Sequence, residues 1–344
     1  MSTSPASTAT AEPDPLPVIE LAMAFYGSRA LMSALELGVF TALADGGADR
    51  SLLEEKLGLH PRTSQDFLDS LVALRLLTRE DGRYANSALA ERFLVRGRDG
   101  YVGGFAEMGS ASLYPVWGKL TDTLRTGEPQ IPAGSNFFEG LYQRPEAARK
   151  FMDAMDAFNA DIAATLEELA DWSACATLTD VGGARGDLAA RLVSAHPQLS
   201  ATCMDLPGVQ PLFDERVGEA GLADRVAFHS ADFVHDPLPA SDAFIFGHIL
   251  HGRDLDQRQD LIDRAYAALS PGGSLFIYDR MIDDNRNTKA LSLLGSLGMA
   301  LVSRIGSEYT PADCRRWLER AGFEVVAVRP LAATDTIVVA RKPA

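Results

Sequence analysis

Thr179-Asp180-Val181-Gly182-Gly183-Ala184-Arg185-Gly186 decides how the second half of this chain is read. A short apolar run, Thr177–Val181, leads into a glycine-rich turn, and the spacing predicts a helix over Asp187–Ala195. Glycines let a backbone turn sharply and come close to a ligand. The dinucleotide pattern G-x-G-x-x-G is not met, since Gly182, Gly183 and Gly186 give G-G-x-x-G. Asp180 would also set a carboxylate beside any pyrophosphate. A ligand with a cationic centre and no phosphate suits this turn better.

Outward from the turn, short apolar runs alternate with helical ones. Ala201–Met204, Val226–Phe228, Ala243–Phe246 and Ser274–Tyr278 read as strands, with a helix over Asp256–Leu269 between the last two. Such alternation predicts a parallel sheet covered by helices on both faces, with its ligand site at the carboxyl ends of the strands. Phe323–Val328 and Thr336–Arg341 read as a hairpin closing one edge. Asp205 ends the second strand, where a carboxylate can accept both hydrogen bonds of a ribose diol. After the third strand, Asp232-Phe233 offers an acceptor for an adenine amino group beside a ring that can lie against the base. Both aspartates can equally be plain polar strand ends.

Taken in order, Asp-Val-Gly-Gly-x-x-Gly, Asp205-Leu206-Pro207, Asp232-Phe233, Gly247-His248-Ile249-Leu250-His251 and Leu269-Ser270-Pro271-Gly272-Gly273 form a familiar set. The chain resembles the plant-type and bacterial small-molecule O-methyltransferases, the acetylserotonin and hydroxyneurosporene O-methyltransferase-like group, from roughly Leu16 to the C-terminus. That resemblance implies a Rossmann-like domain that binds S-adenosylmethionine (SAM), preceded by a helical, winged-helix-like dimerisation domain. It places Gly182, Asp205, Asp232, Phe233 and Gly247 on SAM, with Asp205 on the ribose. The family's Leu-His-Asp-Trp motif, whose His is the base for the acceptor, corresponds here to Leu250-His251-Gly252-Arg253. His251 is therefore the expected general base, since an imidazole with a pKa near ~6.5 can take a hydroxyl proton. Asp279 and Glu308 stand where the family has two acidic partners. The loss of Asp and Trp after His251 keeps alternatives open: C- or N-methylation, or a non-methylating use of SAM such as hydroxylation or rearrangement. His248 and His251 form an H-x-x-H pair, but no Cys or third His lies nearby in sequence and no metal is expected. His248 is grouped instead with the acceptor side.

From Val18 to about Trp172 apolar residues recur at helical spacing. Leu52–Leu57, Thr63–Leu77 and a short Asp-Gly hairpin over residues 78–84 have the rhythm of a winged helix. Nine acids against seven bases between Leu37 and Leu94 argue against a nucleic-acid partner. The resulting division is a disordered tail over 1–17, a helical dimerisation and substrate domain over 18–172 and a SAM-binding domain over 173–344. Phe137-Phe138, Phe151, Met152, Met155, Phe158 and Met299 could line an apolar pocket for an aromatic or polyketide-like small molecule; Phe151, Met155 and Phe158 fall at i, i+4 and i+7. At this spacing they can also be ordinary core.

The whole chain of 344 residues carries a net charge of −15, which repels polyanions and anionic membranes. Runs such as Leu291–Val302 fall short of the ~18 apolar residues needed to cross a bilayer, and the first residues carry no basic start or apolar stretch of a secretory signal. Cys175, Cys203 and Cys314, widely spaced in apolar surroundings, read as reduced thiols of a cytoplasmic protein. Apolar content in the helical half beyond what one small domain can hide predicts a homodimer.

Overall fold

The computed structural model describes residues 13–44, 46–98, 100–131, 137–332 and 334–344. The chain divides into two compact units, Met1–Ser110 and Ala111–Ala344. The change of pattern at Trp172 is thus a change of local structure within the second unit.

Of the tail expected over 1–17, residues 1–12 lie outside the described residues. Helix starts at Leu16, with Pro17 in its first turn, where a missing N–H costs nothing. The helix Leu16–Leu37 is followed by helices Arg50–Leu57 and Pro61–Ala73 and by strands Leu77–Glu80 and Arg83–Asn86, paired antiparallel. Asp81 and Gly82 both take positive φ at the hairpin tip (48° and 78°), the backbone of a two-residue turn whose twist matches the strands. Strand Ala48–Asp49 adds a third member, and Leu35, Phe40, Leu53, Leu68, Leu71 and Leu77 fill the core beneath. The sequence pattern of a winged helix is realised.

Leu16–Leu37 differs from those helices. Val18 is 71% and Leu21 79% exposed, and Ile19, Phe25 and Tyr26 also face outward. By length and composition it is, among the described residues, the one helix long and apolar enough to cross a membrane. This is the apolar content of the helical half that one small unit does not hide. An apolar face of this extent on a globular unit marks a partner surface.

The second unit is built on seven strands: β1 (Thr177–Val181), β2 (Ser200–Asp205), β3 (Val226–Ser230), β4 (Ser241–Gly247), β5 (Leu269–Asp279), β6 (Glu324–Pro330) and β7 (Thr336–Arg341). Their order is β3-β2-β1-β4-β5-β7-β6. The first five run parallel; β7 enters antiparallel between β5 and β6, so the terminal hairpin closes the edge as expected. Side chains along a strand alternate between faces, and the buried residues obey this. Ala243, Ile245, Phe276, Tyr278, Ile337 and Val339 enter one core, while Phe244, Phe246, Leu275, Ile277, Val338 and Ala340 enter the other. With both faces covered, the central strands read as continuous apolar runs. The strand order reverses at β1, and the carboxyl ends of β1, β2, β4 and β5 carry the residues of interest.

Candidate active site

Gly182 (φ 69°) and Gly186 (φ 76°) take the left-handed backbone that the turn after β1 needs. A Cβ on Gly182 would lie 2.4 Å from Ile249 Cδ1 and 3.6 Å from Phe233 Cε1. The turn thus packs against the segments following both β3 and β4. Asp205, the last residue of β2, is buried and accepts from the backbone N–H of Ala184 (2.9 Å) and of Leu206 (2.7 Å). These bonds fix its carboxylate across the glycine turn. Burial pushes it up to about 6, against the pull of the two amides and of the Tyr142 hydroxyl. Asp180 is buried as well and rises to about 7, through burial first and then the charges of Asp205 and Asp156.

Asp232 caps its own loop, accepting from Val234 N at 2.9 Å, with its side chain 42% exposed. Phe233 is buried, and the Arg253 guanidinium lies 5.2 Å from its ring centroid. Gly247 has a packing reason beside any functional one: a Cβ there would come within 2.2 Å of Tyr278 Oη.

After β4 the chain makes one tight turn, Leu250–Gly252, before Asp254 caps helix Leu255–Ala268 reciprocally with Gln257. That turn presents His251. Its Nδ1 lies 2.9 Å from Glu308 Oε1 and 3.7 Å from Asp279 Oδ1. Asp279 ends β5 and is fully buried; its Oδ2 accepts the Tyr309 hydroxyl at 2.5 Å, while Oδ1 receives no hydrogen bond from any described residue. With Nδ1–H donated to Glu308, a neutral ring keeps Nε2 as its acceptor. Burial disfavours the imidazolium, but the charge of Asp279 and the bond and charge of Glu308 outweigh it, lifting His251 to about 9. Asp279 is itself pushed up by burial. The structure thus brings together the three groups singled out in the sequence, and it lifts the imidazole above the ~6.5 assumed there.

Residues 117–324 match the model of the O-methyltransferase domain, and residues 19–96 that of the O-methyltransferase dimerisation domain. The chain is similar to the tetracenomycin polyketide synthesis 8-O-methyl transferase TcmO of Streptomyces glaucescens, 52% identical over 95% of this chain and 96% of the relative. The chain belongs to the O-methyltransferase family. It is a SAM-dependent enzyme that methylates hydroxyl groups. A further relative, the N,N-dimethyltransferase OxyT of Streptomyces rimosus, is 38% identical over 95% of this chain and 96% of its own length. Among solved structures, human N-acetylserotonin methyltransferase in complex with SAM superposes with a TM-score of 0.87 at 26% identity, covering 97% of this chain and all of that one.

The methyltransferase fits its cofactor by the chemistry of its donors. Asp180 and Asp205 are carboxylates raised by burial at the carboxyl ends of the strands, a donor set that suits a ligand bearing a sulfonium and an ammonium.

Arg185, in the glycine turn, pairs with Asp153 at 2.7 Å and with Asp156. It does not pair with Asp187, which is taken by Arg191 (2.8 Å), Arg216 and Asn159 (3.1 Å). The turn is thereby tied to helix Pro145–Asp156. That helix ends at Asp156, and Phe158 lies beyond it at the entrance to the next, so Phe151, Met155 and Phe158 do not share one helical face. Phe151 packs with Leu141, Met152, Val209 and Leu212, and Phe158 joins the core below the sheet; Met155 is half-buried. Side chains 137 and 138 lie outside the described residues. Met299 is close to the site: a Cβ on Gly306 would lie 2.8 Å from Met299 Cε and 3.2 Å from the His251 carbonyl oxygen.

His248 takes positive φ (56°) and holds Asp335 with Nε2 at 3.0 Å, while its Nδ1 lies 3.9 Å from Asp279 Oδ1. His248, His251 and Asp279 offer donor atoms within 4.8 Å of one another. Sequence reasoning missed Tyr309 on Asp279, Tyr142 on Asp205 and Asp335 on His248, because each partner is distant in the chain. Only Tyr309 gave a signal, its place directly after Glu308.

Proposed function

We propose that this methyltransferase acts on a phenolic hydroxyl of a fused-ring, polyketide-derived metabolite, with His251 as general base and Asp279 and Glu308 as its acidic partners. The observation that carries this reading is His251 held at 2.9 Å by Glu308 and 3.7 Å by Asp279 at the carboxyl edge of the sheet. SAM supplies a methyl group on a sulfonium, an electrophile that needs only a good oxygen nucleophile. His251 Nε2 takes the phenolic proton as that nucleophile forms. A base lifted to about 9 suits a phenol, whose own pKa is near ~10. Glu308 and Asp279 then hold the imidazolium, as an orienting carboxylate does in a triad. A Cβ on Gly252 would meet nothing within 4 Å, so the absent aspartate of Leu-His-Asp-Trp is not forced out by packing. The two carboxylates that orient His251 remain in place without it.

Gly182, Asp205, Asp232, Phe233 and Gly247 frame the cofactor crevice, Asp205 on the ribose. Met299, half-buried beside His251, lines the acceptor side together with His248. The similarity to an 8-O-methyl transferase of tetracenomycin polyketide synthesis supports a polyketide acceptor, and that to a 3-hydroxy-5-methyl-1-naphthoate 3-O-methyltransferase supports a fused-ring phenol. Three buried free thiols accord with a cytoplasmic site of action.

Incubation with methyl-labelled SAM and a panel of hydroxylated anthraquinones and naphthacenes should give singly O-methylated products with one S-adenosylhomocysteine each. The similarity to OxyT makes an amine-bearing panel the natural second arm. Methylated amines in the absence of any methyl ether would overturn the hydroxyl assignment. The unit Met1–Ser110 serves homodimerisation through Leu16–Leu37, and light scattering at low micromolar concentration should give twice the chain mass. Leu21→Glu with Tyr26→Glu should shift that species toward the single chain. A monomer in the unaltered protein would remove the dimer.

A further inference from the structure

Arg258 lies outside every motif quoted above, yet it is only 2% exposed. From helix Leu255–Ala268 its Nε donates to the Leu250 carbonyl at 2.8 Å, and its Nη2 donates to the Ser307 carbonyl at 2.6 Å and to Ser307 Oγ at 3.0 Å. Leu250 immediately precedes His251, and Ser307 immediately precedes Glu308. The guanidinium also lies 5.0 Å from the centroid of Tyr309, the residue whose hydroxyl holds Asp279, and 5.3 Å from that of Trp317. One side chain therefore touches the chain neighbours of two site residues and the ring that secures the third. No carboxylate lies within ion-pair distance of it among the described residues. A buried cation without a close counter-ion is expensive, so its place here calls for a reason other than stability.

We propose that Arg258 is a positioning residue for the acid–base pair, clamping the His251 turn to the Glu308 segment so that Nδ1 and Oε1 stay in contact. This rests on the reading of His251 as base. The planar fork explains the residue type: it reaches two segments at once while its face stacks on Tyr309 and Trp317, which an ammonium cannot do. A backbone bond, Ser307 N–H to the His251 carbonyl at 2.8 Å, continues the seam that Arg258 closes. The charged groups acting on His251 are Asp279, Glu308 and Arg280; His248 acts on Asp279 and is itself held by Asp335, and Arg258 feels Asp279, Glu308 and Asp313. Releasing the clamp separates His251 from the two groups that raise it.

The test follows the His251 ring by NMR titration in the full chain, beside steady-state kinetics, for Arg258→Met and Arg258→Lys. In Arg258→Met the His251 midpoint should fall at least one unit from about 9 toward ~6.5, and kcat should fall about 10- to 100-fold with SAM affinity within twofold. Arg258→Lys, which keeps the charge and loses the fork, should show the same two changes at smaller size, and it is read alone if the Met variant does not fold. An unmoved His251 midpoint in the folded variants, with any activity loss matched by loss of folded protein, overturns the clamp. Should His251→Ala remain fully active while the Arg258 variants still shift the His251 midpoint, the base assignment fails and the clamp stands.

Discussion

Replacing His251 by Ala should lower kcat by about 10² to 10⁴, the usual contribution of a positioned base, while SAM affinity stays nearly constant. The loss belongs in kcat because the imidazole meets the acceptor proton only as the carbon–oxygen bond forms. The pH profile carries the same argument with a definite sign. With His251 at about 9, its imidazolium predominates at neutral pH and cannot take a proton. The kcat/KM of the unaltered enzyme should therefore rise about tenfold per pH unit until it bends near 9. Asp279→Asn removes the largest single influence that raises the imidazole, so the bend should move down toward ~6.5 and the plateau should drop with base strength. Glu308→Gln should move the bend the same way, since it removes both a charge and the charge-assisted hydrogen bond. The double variant should cost less than the sum of the two, since both act through one ring. A His251→Ala enzyme as fast as the unaltered one on its true acceptor would leave catalysis to the alignment of the two substrates alone.

What the sequence disclosed follows from which interactions are local. The strand and helix alternation after Trp172 was legible because each element announces itself within a few residues: Val181 and Gly182 mark where β1 stops, and Asp205 ends β2. His251 was legible because its turn is a contiguous motif. Its pKa was not, because the rise comes from Asp279 and Glu308, 28 and 57 positions away, and from the burial of all three. The same reason hid Arg258. A lone arginine at a helical position reads as a solvated charge until Leu250 and Ser307 are seen on either side of it. The shared face of Phe151, Met155 and Phe158 was overread for a related reason: their apolar spacing looks like one helical face only if the helix continues. Asp156, tied to Arg185, is its last residue. Leu16–Leu37 was legible for the opposite reason: an excess of apolar residues over what a small unit can bury shows in composition alone, and the structure leaves that surface exposed.

The affinity for SAM should rise steeply with pH, by about 10² between pH 5.5 and 7.5. Asp180 is raised to about 7 and Asp205 to about 6, chiefly by burial. In the free enzyme protonation relieves that cost, so these two groups favour the fold below about pH 4 to 5, and their contribution is lost as pH climbs through their raised values. A ligand with a sulfonium and an ammonium reverses the balance. It selects the ionised carboxylates, so binding releases protons, and each pH unit below the raised values weakens it. The profile should flatten above about 7.5, where both groups are already ionised. Calorimetry in two buffers of different ionisation heat measures the effect directly: near pH 6.5 the apparent enthalpies should differ by about one proton's worth of buffer ionisation. Asp180→Asn should shallow the pH dependence at once, because the most strongly raised carboxylate is gone, while the Ala184 and Leu206 amides still fix Asp205. An affinity constant across this range, with no buffer dependence, would mean that the buried aspartates sit away from the cationic groups of SAM. The ligand would then be held by shape and by ribose hydrogen bonds, with no charge contribution from the crevice.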